Sequence, residues 1–199
     1  MNLANKLTIL RIILVPIMVI IPFIGIKGEL WGISITYLLV DLIFIIAAIT
    51  DKLDGYIARS RNQITTFGKF LDPIADKIVV IAAMLMLVEV GNLPAWIPII
   101  VVFREFIVSG YRLVAVQRDG NVIAANIWGK MKTVTQMIAV ILAFIDPNPY
   151  GAIFNGNLTG YTFVINLLVT LIMSVSVVAT IFSGWEYVKN GKELFKDSM

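Results

Sequence analysis

Asp51-Lys-Leu-Asp54-Gly55-Tyr-Ile-Ala58-Arg59 is followed, eight residues on, by Gly68-Lys-Phe-Leu-Asp72-Pro-Ile-Ala-Asp76. Four of the thirteen acidic residues of the chain fall in these 26 positions, between runs that are otherwise almost wholly apolar. Carboxylates at the margin of a membrane core are costly unless something uses them. On a helix, Asp51, Asp54, Gly55 and Ala58 stand at i, i+3, i+4 and i+7. On a second, Gly68, Asp72, Ala75 and Asp76 stand at i, i+4, i+7 and i+8, so each set makes one face. The short loop between them predicts an antiparallel pair, with four carboxylates facing one another and small residues beside them leaving room for a ligand.

Four facing carboxylates repel one another and need a counter-charge. The chain has no His and no Cys, which removes the nitrogen and sulfur ligands of ordinary zinc, iron and copper sites. Oxygen ligands favour Mg²⁺, Mn²⁺ or Ca²⁺. Two such ions would form a clamp able to neutralise a phosphoryl group during transfer. The plainer alternative pairs these Asp residues with Lys52, Arg59, Lys69 and Lys77 as solvated helix ends; the joint spacing favours the clamp.

Of the 199 residues, 59% are hydrophobic and 15% charged, and the mean hydropathy is +0.90. That excludes an ordinary soluble domain. The apolar runs lack the alternation of a membrane barrel, so the fold class is all-α: a polytopic membrane protein. Six transmembrane helices are expected, at about 7–26, 31–50 (running on to carry Asp51 and Asp54), from the second acidic face to about 90, 95–116, 123–145 and 161–188. The first is read as a retained helix, because Pro22, Phe23 and Ile24 stand where a signal peptide would carry small residues. Pro73 is expected to kink the third helix at the site, and Asp41, in mid-span, to face protein or water.

Fifteen of the sixteen Lys and Arg residues fall on the side holding both termini and the 60–66 and 117–122 loops, with Lys27 opposite. This bias puts the termini and the acidic site in the cytoplasm, in a multi-pass protein of the cell membrane. No repeat or linker divides the chain, so 1–199 reads as one domain. The net charge of +3 is spread between hydrophobic spans, which suits anionic lipid headgroups and phosphorylated substrates and excludes nucleic acid as the partner. Without cysteine there is no disulfide and no thiol catalysis.

The pattern DxxDGxxAR, eight residues, GxxxDxxxD resembles the signature of the CDP-alcohol phosphotransferases, with every fixed position present. Three further stretches resemble the branch of that family that takes glycerol 3-phosphate: Asn5-Lys-Leu-Thr8-Ile-Leu-Arg11, Arg104-Glu-Phe-Ile-Val-Ser-Gly110-Tyr-Arg112, and Gly129-Lys130-Met-Lys132-Thr133-Val-Thr-Gln136. The resemblance covers essentially the whole chain. It implies CDP-diacylglycerol as lipid donor, glycerol 3-phosphate as acceptor and a homodimer. It further implies two Mg²⁺ or Mn²⁺ ions on Asp51, Asp54 and Asp72, with Asp76 both a ligand and the general base. Gly55, Ala58, Arg59 and Gly68 would shape the nucleotide pocket, near the segment 5–11.

An acceptor's dianionic phosphate calls for two or more cations, and Arg104, Arg112, Arg118, Lys130 and Lys132 are the candidates. A competing role for Arg104 is to lock helices through a carboxylate, and the Lys130–Lys132 pair also reads as a cytoplasmic anchor. Within the family, a phosphatidylinositol phosphate or cardiolipin synthase would use the same basic pocket. Outside it, a prenyltransferase shares the Asp-rich motifs but needs more helices and lacks the Asp-Gly-x-x-Ala-Arg pattern. A divalent-cation transporter would place its acids in mid-membrane on broken helices, whereas here they cluster towards one face.

Overall fold

The computed structural model describes residues 2–60, 66–119 and 127–191. It is mostly helical, and among the described residues six long helices account for almost all of it. They are α1 (Leu3–Ile20), α2 (Ile35–Ser60), α3 (Thr66–Glu89), α4 (Trp96–Asp119), α5 (Ile127–Ile145) and α6 (Gly160–Gly191). Three are long and apolar enough to cross a membrane: α1 with the turn after it (Asn5–Ile24), α5 (Ile127–Ile145) and Gly160–Lys189 of α6.

The elements between the helices correct the expected boundaries in two places. The first helix gives way to a 3-10 turn at Ile21–Ile24, where Pro22 lacks the N–H that would continue the α-helix, and Gly25 closes it at φ 72°. The second helix begins four residues later than expected. Trp31 belongs instead to a small antiparallel hairpin, Glu29–Leu30 with Ile33–Ser34, turned by Trp31 and Gly32, both at positive φ. The hairpin is fastened to α2 by Ile35 N–H to the Gly28 carbonyl and by Thr36 Oγ1 to the Ile26 carbonyl. α3 runs through Pro73 as one unbroken helix. Gly91, at φ 79°, turns the chain from α3 into α4.

Helix pairing follows the small side chains. α5 and α6 form the most extensive contact, then α1 with α2. On α6, Ser176, Ala179, Thr180 and Ser183 are all buried, and small residues at such spacing let helix backbones approach closely where lipid supplies no hydrophobic drive. Thr180 donates back to the Ser176 carbonyl at 2.7 Å, so its hydroxyl needs no partner across the interface. The core is filled by Met18, Phe44, Met84, Leu87, Val140 and Met173, all 2% exposed or less. Asp41 is buried against protein, as its mid-span position requires, with one carboxylate oxygen lacking a partner among the described residues.

Because successive helices reverse direction, one end of the bundle collects the N-terminal turns of α1, α3 and α5 and the C-terminal parts of α2, α4 and α6. The charged residues gather there. At the other end, Asp146 and Asn166 tie the α5–α6 connection together. The Asn166 amide donates to Asp146 Oδ2 at 2.6 Å and to the Pro149 carbonyl at 2.9 Å, and its oxygen accepts from Ile153 N–H at 2.9 Å.

Candidate active site

Asp51 on α2 and Asp72 and Asp76 on α3 line the mouth of one cavity of about 750 Å³. The antiparallel packing read from their spacing is present, and α1 completes it. The Thr8 hydroxyl donates to Asp72 Oδ1 at 2.7 Å. Arg11, only 1% exposed, pairs with Asp51 at 3.0 Å and with Asp76. A buried guanidinium thus spans two helices and supplies the counter-charge that such a carboxylate cluster demands. Thr8 and Arg11 stand at i and i+3 on α1, one face aimed at the acids; a lone Arg inside an apolar first span is the signal for that face.

Asp54, Ala58, Arg59 and Arg118 lie, as side chains, outside the described residues. Gly68 is buried one turn before Asp72, and Gly55 is half-buried one turn after Asp51. Neither glycine is among the described residues lining the cavity. Among the described residues no three carboxylates surround a single ion position. The donor set is nevertheless all oxygen and concentrated on one wall, and that chemistry suits a hard divalent cation.

The opposite wall is basic. Arg104 and Arg112 of α4 and Lys130 and Lys132 of α5 all line the same cavity, so four of the five candidate cations converge. Glu105 organises them. Its carboxylate receives Lys132 at 2.5 Å, Arg104 at 2.9 Å and Lys77 at 3.5 Å. Lys77 also donates to Ser109 Oγ at 2.5 Å. One carboxylate holding three cations leaves a positive surplus on this wall. The carboxylate that Arg104 meets is its neighbour on α4, so this pair does not lock helices; Arg104 lines the cavity.

The last helix supplies the rest, and spacing alone had singled out none of it. Ser183 and Tyr187 stand one turn apart on α6. Arg104 Nη2 donates to Ser183 Oγ at 2.5 Å, and Arg112 Nη2 to the Tyr187 hydroxyl at 2.7 Å. Gly184 sits between them; a Cβ there would lie 3.3 Å from Arg104 Cγ. Beyond the cavity, an apolar groove of about 460 Å³ follows the gap between α3 and α4 past Leu85, Ile99 and Phe103, and Ile81 lines both spaces.

Apolar helices of spanning length around a charge-divided cavity make this a membrane-associated protein with a polar site at one end of its bundle. A family model for CDP-alcohol phosphatidyltransferases matches residues 1–182, and the chain belongs to that family. It is 42% identical to a CDP-diacylglycerol–glycerol-3-phosphate 3-phosphatidyltransferase of Bacillus subtilis, covering 99% of this chain and 98% of the relative. A protein of the same name from Haemophilus influenzae is 34% identical, covering 100% and 97%. A probable phosphatidylglycerophosphate synthase of Mycobacterium tuberculosis is 34% identical over 94% of this chain and 80% of its own length.

Proposed function

We propose that this protein transfers the phosphatidyl group of CDP-diacylglycerol to glycerol 3-phosphate, giving phosphatidylglycerophosphate and CMP. The observation that carries the proposal is the division of one cavity into a carboxylate wall and a cationic wall. The names of the full-length relatives support the choice of substrates.

Two Mg²⁺ or Mn²⁺ ions on Asp51, Asp54, Asp72 and Asp76, when bound, would neutralise the donor's pyrophosphate and the charge that builds on it. Gly55, Ala58, Arg59 and Gly68 form the nucleotide side, where small residues admit close approach and Arg59 adds charge. Arg104, Arg112, Lys130 and Lys132, with Arg118 at the end of α4, hold the acceptor's phosphate. That grip brings the acceptor hydroxyl to the phosphorus bearing the diacylglycerol. Asp76 takes the hydroxyl proton as the new oxygen–phosphorus bond forms and the bond to CMP breaks. The groove below Ile81 gives the donor's acyl chains a path to the lipid phase.

All six helices cross the membrane in this reading. α2 has 26 residues, and α3 and α4 have 24 each, or about 36–39 Å at 1.5 Å per residue, enough for a hydrocarbon layer of about 30 Å. Both termini and the cavity mouth face the cytoplasm, and the functional unit is a homodimer.

Incorporation of labelled glycerol 3-phosphate into lipid, dependent on CDP-diacylglycerol, tests the reaction. Replacing Lys130 and Lys132 together by Ala should raise the acceptor KM by tenfold or more, each contact to the phosphate being worth about 1.5–3 kcal/mol. Incorporation of labelled inositol phosphate in place of glycerol 3-phosphate would move the protein to another branch of the family.

A further inference from the structure

Tyr187 has no place in the transfer chemistry, yet it is 3% exposed and lines the cavity. The centroid of its ring lies 5.4 Å from the Arg112 guanidinium carbon and 5.9 Å from that of Arg104. Both distances are within cation–π range. Its hydroxyl also accepts the 2.7 Å bond from Arg112. One buried ring therefore touches both arginines of the basic wall.

The two arginines differ in what else holds them. Arg104 is fixed by Glu105 and by Ser183. Arg112 is an exposed side chain two turns further along α4, and among the described residues its hydrogen bond goes to Tyr187. An exposed arginine samples many rotamers, and ordering it when a ligand arrives weakens binding. A rigid tyrosine removes most of that freedom in advance, and its ring face tempers the repulsion between two guanidiniums. The planar forks of the arginines then stand ready for a group that accepts several hydrogen bonds at once, which is a phosphate monoester.

We propose that Tyr187 is a positioning residue that sets the spacing of Arg104 and Arg112, and thereby makes the pocket select an acceptor bearing a phosphate monoester over its unphosphorylated counterpart. This deepens the reading of the cationic wall as the acceptor side. Ser183 and Tyr187, one turn apart on α6, match Arg104 and Arg112 on the parallel α4, so α6 acts as a shelf for both.

The test is calorimetric titration of glycerol 3-phosphate, with glycerol as neutral control, into the purified full-length protein in detergent with Mn²⁺. Wild type, Tyr187→Phe, Arg112→Met and the double variant are compared, with CDP binding measured alongside. Tyr187→Phe keeps the ring and the fold but loses the hydroxyl. It should weaken glycerol 3-phosphate binding roughly tenfold, the scale of one hydrogen bond to a charged group, and leave CDP binding unchanged. The double variant should bind no more weakly than Arg112→Met alone, because Tyr187 acts through Arg112.

Wild-type affinity in Tyr187→Phe, equal losses for glycerol 3-phosphate and CDP, losses that multiply in the double variant, or no binding of glycerol 3-phosphate by wild type would each overturn the proposal. Release of CMP with each acceptor is followed separately. If CMP release runs on a different acceptor while Tyr187 still governs glycerol 3-phosphate binding, the reaction assignment fails and the role of Tyr187 stands.

Discussion

Arg11 is the residue on which the acidic wall depends. It is buried, and it joins carboxylates on two helices, Asp51 of α2 and Asp76 of α3. Only the guanidinium is buried; Asp51 and Asp76 are 32% and 42% exposed, so losing Arg11 costs less than the about 3–5 kcal/mol of a fully buried pair, while two neighbouring carboxylates lose their counter-charge. Arg11→Met should therefore lower the melting temperature in chelator. Mn²⁺ should restore part of the loss, since a cation bound among Asp51, Asp72 and Asp76 supplies the missing charge. Equal destabilisation with and without Mn²⁺ would show that the carboxylates take up no ion. The carboxylates themselves were legible in the sequence, because acids in an apolar chain are few and their spacing put each pair on one face. Arg11 stood out as a charge in an apolar span and as part of a resemblance, but not as the partner of these acids. Nothing in the spacing of α1 says which neighbour its polar face meets, and that is decided by α1 packing on both α2 and α3.

At the scale of the element, the helices were readable from their apolar runs and the turns from Gly91 and from Asp146-Pro147. The hairpin at 29–34 was not, for two-residue strands carry no periodicity, and the positive φ of Trp31, at 55°, is a position where an aromatic residue gives no warning. The α5–α6 connection shows how a long loop is held. Asn166 is fully buried and makes three hydrogen bonds to it, one of them to the Asp146 carboxylate. Asn166→Ala leaves those groups without their partner and should destabilise the protein by about 2–4 kcal/mol. Scanning calorimetry in detergent measures this, and acceptor KM should be unaffected because the site is at the other end of the bundle. A change in KM without a change in melting temperature would contradict that separation. The shelf on α6 escaped the sequence reading for a related reason. Ser183 and Tyr187 look like ordinary residues of an apolar helix until α4 is seen beside them.

For the whole molecule, among the described residues α2, α3 and α4 carry the carboxylates and arginines that line the cavity and are not among the helices apolar enough to cross a membrane, whereas α5 qualifies although Lys130 and Lys132 stand in its first turns. In the six-crossing reading proposed above, the charges that reveal the site are the ones that hide three of the spans. The topology is open to a clean test because the chain has no cysteine. Single cysteines at Lys6 or Lys189 should react with a membrane-impermeant reagent only from the cytoplasmic side, and one at Lys27 only from the opposite side; labelling of Lys27→Cys and Lys189→Cys from one side would refute six crossings. The assignment itself turns on the reaction. The most direct measurement is CMP release from CDP-diacylglycerol by the purified protein, with and without Mg²⁺ or Mn²⁺, and with glycerol 3-phosphate, inositol phosphate, inositol or serine offered in parallel. The expected result is release that requires both the metal and glycerol 3-phosphate and is abolished in Asp76→Asn, while that variant still binds CDP. Release that survives chelation, or that the Asp76→Asn variant sustains at near the normal rate, would contradict the metal-assisted transfer assigned to these carboxylates.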